Sequence, residues 1–410
     1  MEINTLTQHI DVRRRDMKKE MYTAIVLQGG GALGAYECGV MKELYESRGP
    51  NFKPDVITGI SIGAINAAIL AGSENPAATL EHVWREGFSL LTPLPAFLEA
   101  TYESLIPQKV QQYLSALGNE SMYRLRPEYY CSPVFAPFFT SSIYDTSPLR
   151  ATLETVVDLN RLNRDCQVVV TAVNVETGKA AIFGNRLSMN GGVTFDNEDG
   201  LSIDHVIASG SLPPAFPMTE IKQNFYWDGG LHSNTPLSEA INCLERCKAG
   251  SLDVRRELII VELVPMEGEK PGNIEEVMSR FFNIIFASKL NLDAKLFSQY
   301  SDFVDLAGHL DVLLRAIEAD DDLRKKVDKA LSSSGSSITV NAIRNHAGYK
   351  ELMDHRRIDA FTYVPFTAGH ALRNASDFSK GSIEARIEAG QQEARKQKIG
   401  EHHFLKRASA

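Results

Sequence analysis

Apolar and polar positions along the chain follow two regimes. Up to about residue 265, short apolar runs alternate with helical periodicities. The run 23-TAIVL-27 is continuously apolar and β-rich, which predicts a strand buried on both faces. Behind it, 36-YECGVMKELYES-47 has helical spacing and is stopped by Gly49-Pro50. A second run, 56-VIT-58, leads into 59-GISIGAINAAILAG-72, whose Ala/Ile-rich part reads as a helix closed by Gly72. Two strand–helix units this close together predict an α/β fold with a parallel sheet. Further strands are expected at 167–175 and 180–183, joined by the turn 176-ETGK-179, and at 224–230 and 258–264. Helices are expected over 145–158, with Ser147 as N-cap and Pro148 at the first helical position, and over 202–211.

Two stretches depart from this rhythm. Between Gly87 and Thr140 six prolines interrupt the pattern, and aromatic residues crowd 123-YRLRPEYYCSPVFAPFF-139. That segment reads either as an irregular packed connection or as the lining of an acyl channel. Beyond Pro265 the character changes to long amphipathic helices over 274–331, with Phe281, Ile284, Ile285, Leu290 and Leu296 as apolar candidates. The stripe carrying Phe281, Phe282 and Phe286 has core or dimer packing as its plain reading and bilayer contact as its sharper one. A flexible link at 332-SSSGSS-337, a strand pair at 338–343 and 358–364, and a C-terminal helix near 380–398 complete the chain. The expected division is therefore a catalytic domain over 22–265 and a largely helical region with a short strand pair over 266–410.

Composition narrows the function classes. Hydrophobic content of 43% and charge of 23% are those of a soluble globular protein. A net charge of −9 gives no bulk attraction to nucleic acid, which is not expected as a partner. The basic stretch 13-RRRDMKK-19 is a local exception: a solvated arm, or a weak, transient contact with a membrane surface. No apolar run reaches the ~18 residues of a membrane span, and no leader-like apolar region follows the N-terminus. The five cysteines are odd in number and scattered, which argues against a disulfide framework. Cys243 and Cys247 have helical spacing but lack further ligands nearby, so no metal site is expected. A reducing cytoplasm, with at most a peripheral membrane association, is the simplest home. Oligomeric state is left open.

The chemistry concentrates in two turns. The segment 29-GGGALG-34 satisfies G-x-G-x-x-G, but a dinucleotide site also wants an acidic residue about 20 positions on, at the end of the second strand. Asp55 precedes that strand, and the expected position is occupied by 59-GISIG-63. This is G-x-S-x-G in a strand–turn–helix context, where a serine hydroxyl is exposed on a strained bend. An acyl-transfer serine needs backbone N–H groups aimed at the oxyanion of its tetrahedral intermediate. Gly30 and Gly31 are the candidates, with the Ile62 N–H as a further donor; Gly34 and Gly39 read as close-packing positions. The serine also needs a base. His205 falls in an expected helix and His232 follows a glycine pair, with nothing to bring either to Ser61. Asp228, ending the strand in 227-WDGG-230, is the stronger candidate, provided that burial raises its pKa.

Three motifs in this order, 29-GGGALG-34, 59-GISIG-63 and 227-WDGG-230, resemble those of the patatin-like phospholipase family. The resemblance spans roughly 22–265. It implies a three-layer α/β sandwich with a mainly parallel central sheet, and a serine acyl hydrolase acting on lipid carboxylic esters. It further implies Ser61 as nucleophile, Asp228 as general base and the Gly29–Gly31 turn as oxyanion hole, with no metal or organic cofactor. The stretch 209-SGSLPPAFP-217 resembles the segment that precedes the family's Asp motif. The stretch 376-SDFSKGSIEARIEAGQQEA-394 resembles an extra region of one bacterial branch, to which the resemblance attaches no function. One departure is Leu33, where many members carry Arg or Lys; it leaves other acyl esters beside phospholipid as substrates. A thioesterase or acyltransferase with the same dyad, and a non-catalytic lipid-binding scaffold, remain as alternatives.

Overall fold

Eight strands form the central sheet: β1 (Glu20–Leu27), β2 (Val56–Gly59), β3 (Gln167–Asn174), β4 (Ala180–Gly184), β5 (Thr219–Ile221), β6 (Asn224–Asp228), β7 (Val254–Val261) and β8 (Ala360–Val364). The structure, a computed structural model, describes residues 20–89, 118–190, 194–247, 254–333, 339–369 and 372–405. The basic stretch 13–19, most of the Ser/Gly link and the prolines at 93, 95 and 107 lie outside them. The helices used below are α1 (Gly34–Arg48), α2 (Ile62–Gly72), α3 (Ile203–Ser209), α4 (Leu237–Arg246), α5 (Ile274–Glu318) and α6 (Lys380–Lys396).

The strand order is β8-β7-β1-β2-β3-β6-β5, with β4 also bonded to β3. The pairs β8/β7, β7/β1, β1/β2 and β2/β3 are parallel; β3/β4, β3/β6 and β6/β5 are antiparallel. Successive side chains on a strand point to opposite faces. Ile25 and Leu27 of β1 accordingly join one apolar layer with α1, α2 and α6, while Ala24 and Val26 join a second with Leu237, Ala240 and Leu244 of α4. Burial on both faces explains the unbroken apolar runs of β1, β3 and β7. The result is the expected three-layer sandwich around a mainly parallel sheet.

The register around β3 decides the site. β2 pairs with its first half, Val56↔Gln167 to Gly59↔Val170. β4 pairs along Val169–Val173. A strand accepts one neighbour on each side at any position, so β4 takes the edge opposite β2. β6 pairs at 172–174, where β4 also pairs, and so lies on the same side as β2. β2 therefore runs up to Gly59 opposite Val170, and β6 runs down to Asp228 opposite Ala172. Two strands that enter from opposite directions end about two residues apart, ~7 Å along β3.

Past residue 265 the structure differs from the expected organisation. β8 lies beside β7 in the main sheet, and α6 packs against α1 with glycines at the contact. A Cβ on Gly39 would come within 1.9 Å of the Ile387 carbonyl, and one on Gly390 within 2.1 Å of the Tyr36 carbonyl. Phe366, Phe378, Ile383 and Ile387 belong to the same core as Ile25 and Leu27. A division at residue 265 thus cuts through one sheet and one core. The expected strand pair is also corrected. Residues Val340–Asn345 form a helix, capped by the Thr339 hydroxyl on the Ala342 amide at 3.1 Å, while β8 pairs parallel with β7 instead. The β-branched run 338–343 has no periodicity of its own to separate strand from helix, and the cap decides. In Ser147–Val156 the N-cap is Thr146 rather than Ser147, and the Asp145 carboxylate accepts from the Ser147 amide at 3.0 Å.

The α5 stripe is split. Phe281 and Phe282 are exposed, while Phe286 packs against the core; the side chains of Leu290 and Leu296 lie outside the described residues. Among the described residues no helix is long and apolar enough to cross a membrane.

Candidate active site

Ser61 stands between the end of β2 and the first turn of α2, at φ +54° and ψ −122°. A side-chain-bearing residue at positive φ stores strain that its surroundings must hold. Here the Ser61 amide donates to the Ser209 hydroxyl at 3.1 Å, and that hydroxyl donates to the Thr171 carbonyl of β3 at 2.7 Å. The flanking glycines are required by backbone contact: a Cβ on Gly59 would meet the Gly63 carbonyl at 2.3 Å, and one on Gly63 the Leu27 carbonyl at 2.5 Å. In the first turn of α2 the Gly63 and Ala64 amides donate to the carbonyls of Ile60 and Ser61. That leaves the Ile62 amide as the donor of this turn with no local acceptor.

The glycine turn lies directly against this elbow. A Cβ on Gly29 would fall 3.1 Å from Ser61 Cβ and 2.4 Å from Asn234 Oδ1. Asn234 donates from Nδ2 to the Gly29 carbonyl at 2.9 Å and so ties the turn to the segment that follows Asp228. Gln28, just before it, accepts the Leu263 and Val264 amides at 2.7 and 3.0 Å. Gly31 has φ +56° and leaves no room for a Cβ, which would meet the Ala375 carbonyl at 2.5 Å. Gly34 abuts Ile62 and Trp84, and Gly39 abuts α6, both as close-packing positions.

A buried acid locks the two helices together. Glu37 on α1 accepts from Asn66 on α2 at 2.8 Å. Asn66 also donates to the Gly34 carbonyl at 3.1 Å and accepts from the Trp84 indole at 2.9 Å. Desolvation raises the Glu37 pKa well above the usual carboxylate range, against the hydrogen bonds from Asn66 and Gln28. Glu37 is a buried crosspiece between the helix that follows the glycine turn and the helix that follows the elbow.

Asp228 closes β6 and is 1% exposed. Its amide donates to the Ser211 carbonyl at 3.0 Å, and its Oδ1 accepts the Gly230 amide at 2.8 Å. Oδ2 is buried with no donor at full hydrogen-bond geometry. Burial lifts the pKa to about 7, while the Ser61 side chain and the Gly230 amide draw it down. Gly229 is held by the same packing: its Cβ would stand 2.1 Å from the Thr171 carbonyl. Phe286 of α5 packs on Gly230 from the other side. The two histidines are otherwise engaged or directed. His205 Nδ1 accepts the Ser202 amide at 3.0 Å in a helix cap, and burial lowers its pKa to about 4; His232 is exposed. Among the described residues no group of His, Cys, Asp or Glu has the makings of a metal site.

Ser61, Asp228, Gly29, Gly30, Gly31 and Ile62 thus come from three separate stretches into one place. Ser209, Asn234 and Glu37 were not anticipated. Ser209 lies in the stretch 209–217 whose resemblance had been noted without a role for its residues.

Residues 25–241, half of the chain, match the patatin-like phospholipase family. The chain belongs to that family. Membership supports lipid-hydrolase activity for this patatin-like chain. No curated protein matches the sequence. Among solved structures, the chain is similar to VipD from Legionella pneumophila at 13% identity and a TM-score of 0.37, covering 95% of this chain and 68% of that one. It is also similar to ExoU, solved with SpcU from the type III secretion system of Pseudomonas aeruginosa, at 15% identity and a TM-score of 0.30, covering 93% and 76%.

Proposed function

We propose that this patatin-like chain is a serine acyl hydrolase that cleaves lipid carboxylic esters through Ser61 and Asp228. The observation that carries this reading is the register of β2 and β6 on β3, which ends the two strands about two residues apart along β3, with a desolvated carboxylate on the serine's side. In the reaction Asp228 accepts the Ser61 proton as Oγ attacks the ester carbonyl. Within the Gly29–Gly31 turn the Gly30 and Gly31 amides, with that of Ile62, receive the oxyanion. Collapse of the tetrahedral intermediate expels the alcohol, which takes the proton, and leaves acyl-Ser61. Water, deprotonated by Asp228, then attacks the acyl carbonyl; the second intermediate expels Ser61 Oγ, which takes the proton back from Asp228, and the fatty acid is released. A removed oxyanion donor in such sites costs roughly 3 kcal/mol of transition-state stabilisation.

Leu33 is 1% exposed and faces the core, so no charge at that position meets a head group. The reading is therefore set on the acyl ester rather than on a phosphate. Incubation with a diacyl phospholipid, a lysophospholipid and an acyl thioester, with product analysis, separates the choices. Free fatty acid from the oxygen esters is the expected result. Release from the thioester alone, or transfer to an added alcohol without free acid, would replace hydrolysis by thioesterase or acyltransferase chemistry.

The aromatic segment divides in two. Tyr123, Tyr144, Phe216 and Phe378 pack ring on ring within the molecule. Val134, Phe135, Phe138 and Phe139 stand 62–83% exposed. This reading assigns the exposed tip to contact with the lipid surface that presents the substrate. Replacing Phe138 and Phe139 by Ser is expected to slow hydrolysis of vesicle-borne ester about tenfold and to leave a monomeric p-nitrophenyl ester unaffected. Equal rates on vesicles would remove the tip from the proposal.

A further inference from the structure

The C-terminal stretch 376–394 has no role in the reaction as written, yet it carries a fully buried arginine. The Arg386 guanidinium on α6 faces main-chain carbonyls. Nε donates to Leu372 O at 2.9 Å, Nη2 to Asn374 O at 2.8 Å, and Nη1 to Asp377 O at 2.6 Å and Ala32 O at 3.5 Å. The Asp377 carboxylate accepts from the Ser379 amide at 3.0 Å and from the Ser382 hydroxyl at 2.6 Å. The segment that Arg386 gathers in touches the glycine turn. The Ala375 carbonyl accepts the Ala32 amide at 2.8 Å, and it is the atom that a Cβ on Gly31 would strike.

We propose that Arg386 is a positioning residue for the oxyanion turn, acting through residues 372–377. The proposal rests on the oxyanion role assigned above to the Gly29–Gly31 turn. Arg386 reaches Ala32 at both ends: directly at the carbonyl, and through Ala375 at the amide. These contacts fix the two peptide planes that flank Ala32, the first of which is the Gly31–Ala32 plane, and so constrain the donors before it. The planar fork of an arginine reaches several carbonyls at once, whereas an ammonium presents a single point of charge. Burial lowers the Arg386 pKa, only to about 10, so the cation persists at physiological pH. At the position after Ala32, where the resemblance expects a basic side chain, this chain has buried Leu33. The guanidinium arrives instead from a residue 354 positions beyond Ala32.

The test compares wild type, Arg386→Met and Arg386→Lys in the full chain. Turnover of a p-nitrophenyl ester is normalised to the serine titrated by a fluorophosphonate. A mis-aimed turn lowers transition-state binding more than substrate binding. Expected for Arg386→Met is a kcat per titrated site about a hundredfold below wild type with KM within about threefold. Arg386→Lys is expected between the two, and it decides the question by the same ratio should the Met variant not fold. Fewer titratable sites with wild-type kcat per site, in either variant, would mark a purely structural role and overturn the proposal. Wild type that fails to label at Ser61 would overturn the acyl-hydrolase reading itself, and the positioning role with it. Labelling of wild type with unchanged turnover in Arg386→Met overturns the positioning role alone.

Discussion

Ser61→Ala is expected to lower kcat/KM by at least about ten-thousandfold and to abolish fluorophosphonate labelling, while the melting temperature stays close to wild type. The substitution removes one oxygen. It leaves the positive φ, which Ala tolerates no better than Ser, so the strain of the elbow is unchanged. The Ser61 amide keeps its bond to Ser209, and the glycines that permit the turn are untouched. Loss of activity in a protein of unchanged stability therefore reports on chemistry rather than on folding. Ser61→Gly adds a control, because Gly adopts positive φ without penalty; it is expected to be equally inactive and slightly more stable. Mass spectrometry of the labelled wild type locates the adduct. An adduct on another residue, or ester cleavage that survives in Ser61→Ala, would sink the assignment of the nucleophile.

What the sequence reveals of this site is what short-range sterics dictate. Gly59, Ser61 and Gly63 are readable together because a strand must reverse into a helix within a few residues, and the contacts that demand glycine are local or lie across one strand. The same holds for Gly229, pressed on β3, and for the unbroken apolar runs of β1 and β3. What cannot be read is the register that ends β2 and β6 beside one another, because it depends on how β3 divides its edge between them. The supporting bonds are equally remote. Ser209 reaches Ser61 across 148 positions and Asn234 reaches Gly29 across 205. Neither residue type announces such a role. The boundary expected at residue 265 follows a change of pattern at Pro265, but that change tracks exposure. α5 carries its apolar residues largely in solvent, whereas β8 and α6 return to the core after it. Asp228 was readable as the candidate base from its place at a strand end before a glycine pair, and the family resemblance agreed; burial of that carboxyl, on which the role depends, is visible only in the folded chain.

Asp228→Asn is expected to remove turnover by roughly a thousandfold or more while raising stability at alkaline pH. Asn keeps an oxygen for the Gly230 amide but has no basic oxygen to receive the Ser61 proton. In the wild type the carboxyl must be ionised to act, so kcat/KM is expected to rise with pH and to level off above a pKa of about 7. Stability runs the other way. The folded pKa of about 7 lies above the 3.8 of a free carboxyl. Below both values the carboxyl is protonated folded or unfolded and has no effect on the balance. Between them the folded state holds a proton that the unfolded state has released, so stability falls as pH rises through this window. At ~1.4 kcal/mol per unit the accumulated cost above neutrality is a few kcal/mol. The variant carries no such ionisation, and its melting temperature should exceed that of wild type at pH 8 by several degrees, with the gap closing toward pH 4. The same desolvation that makes Asp228 a competent base thus makes it a burden on the fold at the pH where it works. A rate profile whose acid limb falls near pH 4, together with a stability difference independent of pH, would mean that the carboxylate is ionised throughout and that another group takes the proton.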